Sequence, residues 1–99
     1  MTKDKYAQKI KSLVLTKQLI NGQIDAAQRQ YIKDFEAGNT NSSAWHTYHA
    51  LVDERYEVNA KLGKIQDQMK KDGFELRHYC ELHNMYLDQF NFLVNNNNI

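Results

Sequence analysis

The chain contains no proline, one cysteine and four glycines among 99 residues. Without proline, nothing rigidly interrupts the backbone, and long helices are permitted. A single thiol, Cys80, cannot close an internal disulfide, which excludes a cross-linked scaffold and suits a reducing, cytoplasmic setting. An excess of one charge is also lacking, because 13 basic residues face 12 acidic ones. That balance argues against a strongly basic nucleic-acid arm and against an acidic disordered chain. Long hydrophobic runs are missing too. The stretch from Ile10 to Ile20 is broken by Lys11 and Lys17, and it has neither the length of a membrane span nor a small-residue cleavage site.

What is present is helical periodicity. Tyr6, Ile10, Leu13, Ile20, Ile24, Ala27 and Tyr31, with Phe35 beyond, recur at steps that keep one helical stripe. The stripe holds its phase through Asn21-Gly22, so one helix is expected over residues 3–37, with Thr2 as its N-cap and Gly38-Asn39 as its stop. A second stripe, Tyr48, Leu51, Val58, Leu62, Ile65 and Met69, places a helix at 43–71, capped by Ser42 or Ser43. Trp45 is expected to anchor the closed end of this hairpin. Asp72-Gly73 then suggests a reversal, with Asp72-x-x-Glu75 as a capping box for a third helix at 73–94 and a fraying tail at 95–99.

The fold expected is therefore all-α, a single domain over 1–99 built as a three-helix antiparallel bundle. The alternative is a long-helix hairpin, dimeric, in which the second and third helices are continuous. The seven-residue spacing of Tyr48, Arg55, Leu62 and Met69 runs on without slip through Leu76, His83 and Phe90, which is what keeps that alternative open.

The third helix is richer in apolar residues than one seam requires. Leu76, Tyr79, Cys80, Leu82, Tyr86, Leu87, Phe90, Leu93 and Val94 form a broad sector expected to face the core. Phe74, Met85 and Phe92, interspersed with His78 and Gln89, form a second stripe on a flank. A helix covered by neighbours on one side needs only about a 100° stripe. The expected working surface is accordingly a partner-binding flank of Phe74, His78, Met85, Gln89 and Phe92, with Tyr86 and Phe90 able to contribute. The partner is a protein or a second copy in a homodimer, and the chain is expected to act as an inhibitor, adaptor or assembly factor. Ten Asn and eight Gln in so short a chain suit a phage or mobile-element accessory protein.

The competing reading is a small nucleic-acid-binding regulator using the lysines of 3–17 and 61–71. Nucleic acid is not the expected partner, since the lysines scatter around the first helix and the whole chain is nearly neutral. Lys17 and Arg55 fall on apolar seams, where long basic side chains can lay their stems on the core or set register. No metal or cofactor is expected. His46, His49 and Asp53 share a face, and Glu75-x-x-His78 and Cys80-x-x-His83 have chelating spacings, but none belongs to a matched ligand set. No phosphate loop or nucleophile elbow occurs, and Cys80 with His83 is the one nucleophile–base pair at helical reach. Cys80 is read as a buried, inert thiol, and the chain as a non-enzyme.

Overall fold

A computed structural model describes residues 2–97, with side chains described through Phe92. It contains α1 (Lys3–Glu36), α2 (Ser43–Lys71) and α3 (Leu76–Asn97). This is the three-helix antiparallel bundle, and the chain reverses at Asp72-Gly73. The continuous-helix alternative is thereby excluded. α3 continues through Asn97 and overruns the expected end at 94. The remainder of the expected tail, Asn98 and Ile99, lies outside the described residues, as do the side chains of Leu93 and Val94.

Both reversals use the same backbone device. After α1, the Gly38 N–H bonds to the Phe35 carbonyl and the Asn39 N–H reaches back to Asp34. After α2, Gly73 bonds to Lys70 and Phe74 to Met69 in the same pattern. These are paired Schellman bonds, and they require a left-handed residue just past each helix. Gly38 and Gly73 supply it, with φ of 85° and 92°. Asn21-Gly22 makes no such turn and stays inside α1, as the unbroken stripe implied.

Caps fix the other ends. The Thr2 hydroxyl accepts from the Lys5 N–H at 3.4 Å, and the Ser42 hydroxyl accepts from the Trp45 N–H at 3.3 Å. Ser42 also donates to the Asp34 carboxylate at 2.7 Å and is almost wholly buried, so one hydroxyl ties the start of α2 to the last turns of α1. The expected capping box at Asp72–Glu75 is not the one formed. Asp72 ends α2. The Glu75 N–H donates instead to His78 Nδ1 at 3.0 Å, so the reach-back partner lies one turn later and is a histidine.

The core is centred on α1. Tyr6, Ile10 and Val14 have no exposed surface, and they join Ile20 and Ile24 with Val58, Leu62, Ile65 and Met69 of α2 and Phe90 of α3. α1 packs along both other helices, while α2 and α3 meet each other far less. The result is an elongated, flattened molecule of 55 × 27 × 17 Å.

Tyr6 closes the end where the three helices converge. Its ring meets Phe74 edge-on at 5.8 Å, and its hydroxyl donates to the Asp72 carboxylate. Burial, then the bond to Asp72 and its negative charge, push the phenol up from 10.0 to about 12. The same bond holds the Asp72 carboxyl below its ordinary 3.8.

Two outcomes follow from these contacts. A raised phenol stabilises the fold fully below pH 10, and that contribution disappears between pH 10 and about 12. The depressed Asp72 acts in the opposite sense, contributing above pH 3.8 and losing its effect as pH falls through its lowered folded value. Urea midpoints measured across pH should thus decline at both extremes. Tyr6→Phe should weaken the acid limb and reduce the alkaline one, leaving at alkaline pH the contribution of Tyr79, whose phenol burial also raises. Separately, Gly73→Ala forces an L side chain into the left-handed region and should cost about 1–2 kcal/mol in denaturant melts.

Candidate functional site

α3 presents two unequal faces. Tyr79, Leu82, Tyr86 and Leu87 are half-buried against the core, and Phe90 is buried among its members. Met85 and Phe92, two turns apart, point the other way and are 51% and 67% exposed. Gln89 beside them is exposed as well. These three residues make the outer stripe that the helical repeat placed on a flank.

The other residues expected on that flank are engaged by the fold to different degrees. Phe74 is half-buried against Tyr6 and completes the second Schellman turn. His78 is half-buried, accepts the cap bond from Glu75 and packs its ring 6.0 Å from Phe74. Tyr86 is half-buried with Lys11 Nζ 5.9 Å from its ring centroid, a cation–π contact that joins α3 to α1. Phe90 is 4% exposed and cannot reach a partner. The surface available for contact is therefore Met85, Gln89 and Phe92, edged by His78, Phe74 and Tyr86.

Two residues of the expected core sector lie outside it. Leu76 is 60% exposed and Cys80 is exposed, so the buried, inert thiol is corrected to an accessible one. The reason is geometric. α3 packs chiefly on α1 and only sparsely on α2, so its apolar sector is wider than the surface available to cover it.

Beside the buried Phe90, α3 is also held to α1 by a polar contact of which periodicity gave no hint. Arg55 Nη1 of α2 donates to Asn21 Oδ1 of α1 at 3.2 Å. Asn21 Nδ2 donates to Gln18 Oε1 at 3.1 Å, and Gln18 Nε2 donates to Asn91 Oδ1 of α3. A single chain of hydrogen bonds, each pointing the same way and headed by a cation, links all three helices. Gln18 is 8% exposed, so its amide depends on these bonds. Arg55 on the seam thus serves register, and its partner is an amide rather than an acid. Lys17 is half-buried in the same shallow groove, with Asn21, Tyr56 and Asn59.

The closed end of the α1–α2 hairpin carries a run of touching rings. Phe35 packs on Tyr31, Tyr31 on Tyr48, Tyr48 on His49, and His49 on Trp45 at 4.1 Å. The inter-helix contact is Tyr31 with Tyr48, so Tyr48 takes the anchoring position expected of Trp45, which remains 39% exposed. His46 and His49 are occupied as ring partners of Trp45. Among the described residues, no three His, Cys, Asp or Glu side chains gather as a group able to hold a metal ion. Nor, among them, is any helix long and apolar enough to cross a membrane.

Set against known proteins, the chain matches no family model, no curated protein and no solved structure.

The polar chain makes a direct prediction. Asn21→Ala leaves the Arg55 guanidinium without this acceptor and the Gln18 carbonyl without this donor. Each half-buried polar group left unpaired costs about 1–3 kcal/mol. Because the half-buried Arg55 can turn to water and Gln18 cannot, the unfolding free energy from urea melts should fall by about 1–3 kcal/mol in total while far-UV circular dichroism stays helical. An unchanged midpoint would show the chain of bonds to be dispensable.

Proposed function

We propose that this chain is a non-enzymatic α-helical interaction module that works through the outer face of α3, binding a protein partner or a second copy of itself. The observation that carries the reading is the exposure of Met85 and Phe92 at 51% and 67%, beside a core that is closed without them. Large apolar side chains held in water at helical spacing are the usual anchors of helix-to-helix recognition. Burying one such side chain is worth roughly 1.5–3 kcal/mol, so the pair could supply a substantial share of a moderate affinity. His78 and Gln89 add polar edge groups that would orient an incoming helix. Roles as an inhibitor, adaptor or assembly factor are all compatible with a surface of this kind, and a homodimer is its simplest use.

Met85→Ser with Phe92→Ser tests the face directly. Light scattering on the unaltered chain should give a dimer mass, and the double variant should give a monomer with the same circular dichroism and thermal midpoint. A monomer at high concentration in the unaltered chain would assign the face to a foreign protein. Unfolding of the double variant would show that both residues serve the chain's own core, and the reading would fail.

A further inference from the structure

Nine of the ten lysines lie in residues 3–17 and 61–71, two segments far apart in sequence. The antiparallel pairing of α1 and α2 brings those segments side by side at one end of the bundle, where the nearby acids are Asp4, Asp67, Asp72 and, on the segment that follows, Glu75 and Glu81. The other half holds Asp25, Asp34, Glu36, Asp53, Glu54 and Glu57 against Arg29, Lys33 and Arg55, with Lys17 meeting Arg55 at mid-length. A net charge of +1 thus conceals a molecule that is basic at one end and acidic at the other.

The basic end has a shape as well as a charge. Lys9 and Ser12 of α1 and Lys61, Lys64 and Gln68 of α2 rim a shallow groove floored by Leu13 and Ile65. It runs on, through the shared Lys64 and Gln68, into a second stretch lined by Asp67 and Lys71. Lys9, Lys61, Lys64 and Lys71 are all exposed, and Asp67 is the single carboxylate along the path. From Lys61 to Lys71 the helix rises about 15 Å, so the lysines present their charge along an extended line instead of at one point.

We propose that this groove docks the phosphate backbone of double-stranded nucleic acid. The lining residues select that ligand. Lysine ammonium groups act as point charges suited to phosphate, whereas no arginine fork is present to grip a planar carboxylate. No aromatic ring lines the groove, so unpaired bases would find no stacking platform there. Ser12 and Gln68 add neutral donors of the kind that contact phosphate oxygens. Binding of this type positions the protein on a duplex without reading its sequence.

Fluorescence anisotropy with a labelled mixed-sequence DNA duplex, titrated with salt, tests the proposal. The logarithm of the binding constant should fall with the logarithm of salt at a slope of about −3, as expected when three or four phosphates are neutralised. Lys9→Gln with Lys61→Gln and Lys64→Gln should flatten that slope to near zero and remove most of the affinity. Lys33→Gln, at the acidic end, should leave both unchanged, as should Met85→Ser with Phe92→Ser, which separates this groove from the α3 face. Absence of duplex binding at low salt would overturn the proposal. So would equal loss in the Lys33 control, or binding to poly-glutamate in place of the duplex.

Discussion

Everything in this bundle rests on one buried line of α1. Tyr6, Ile10 and Val14 lose all contact with water because α2 and α3 each lean on α1 rather than on each other. That arrangement makes α1 the shared wall of two helix pairs. The run from Arg55 through Asn21 and Gln18 to Asn91 adds directional bonds to the packing of Phe90 and favours one register for α3. At the opposite end, Tyr6 combines packing with a hydrogen bond, tying the helix-two stop to the first turns of α1.

Much of this was legible in the residues, for identifiable reasons. The stripe that keeps its phase across Asn21-Gly22 described a real continuous helix, because a turn would have had no cause to preserve it. Asp72-Gly73 broke an equally well-phased pattern. The difference is that Gly73 takes a positive φ, the Phe74 N–H bonds back to the Met69 carbonyl, and the Phe74 ring makes an apolar contact with Tyr6 across the reversal. A phase argument cannot register that contact. Gln18, Asn21 and Asn91 were missed because periodicity counts amides as surface, whereas here they supply each other's missing water. Leu76 and Cys80 belong by periodicity to the apolar sector, yet α3 packs mainly on α1, and periodicity cannot tell how much of a sector its neighbours cover.

The same openness shapes what α3 can present. A helix with neighbours on two sides hides two arcs of its surface; this one rests chiefly on α1. Its apolar surplus therefore divides between the core, which takes Tyr79, Leu82, Tyr86, Leu87 and Phe90, and water, which meets Met85 and Phe92 on one flank and Leu76 and Cys80 elsewhere. The aromatic wealth of this segment served the fold more than the sequence alone suggested. Phe74 and His78 border the exposed stripe, yet both are already committed to a turn or a cap. A contact built on Met85 and Phe92 would thus add to a finished structure instead of completing an unfinished one.

Charge tells a parallel story about what composition can hide. Net charge is a sum, and a sum discards position. An antiparallel hairpin folds residue 9 beside residues 61 and 64, so lysines that scatter along a sequence become neighbours around a groove. The acids collected at the other end keep the total near neutrality without quenching the local field, because the molecule is 55 Å long and charges that far apart are screened from one another at physiological salt, where the Debye length is about 8 Å. The groove draws its lining from α1 and α2, and the apolar face belongs to α3. A ligand on one need not displace a ligand on the other, and a chain of this size can carry two separate contacts on a single core.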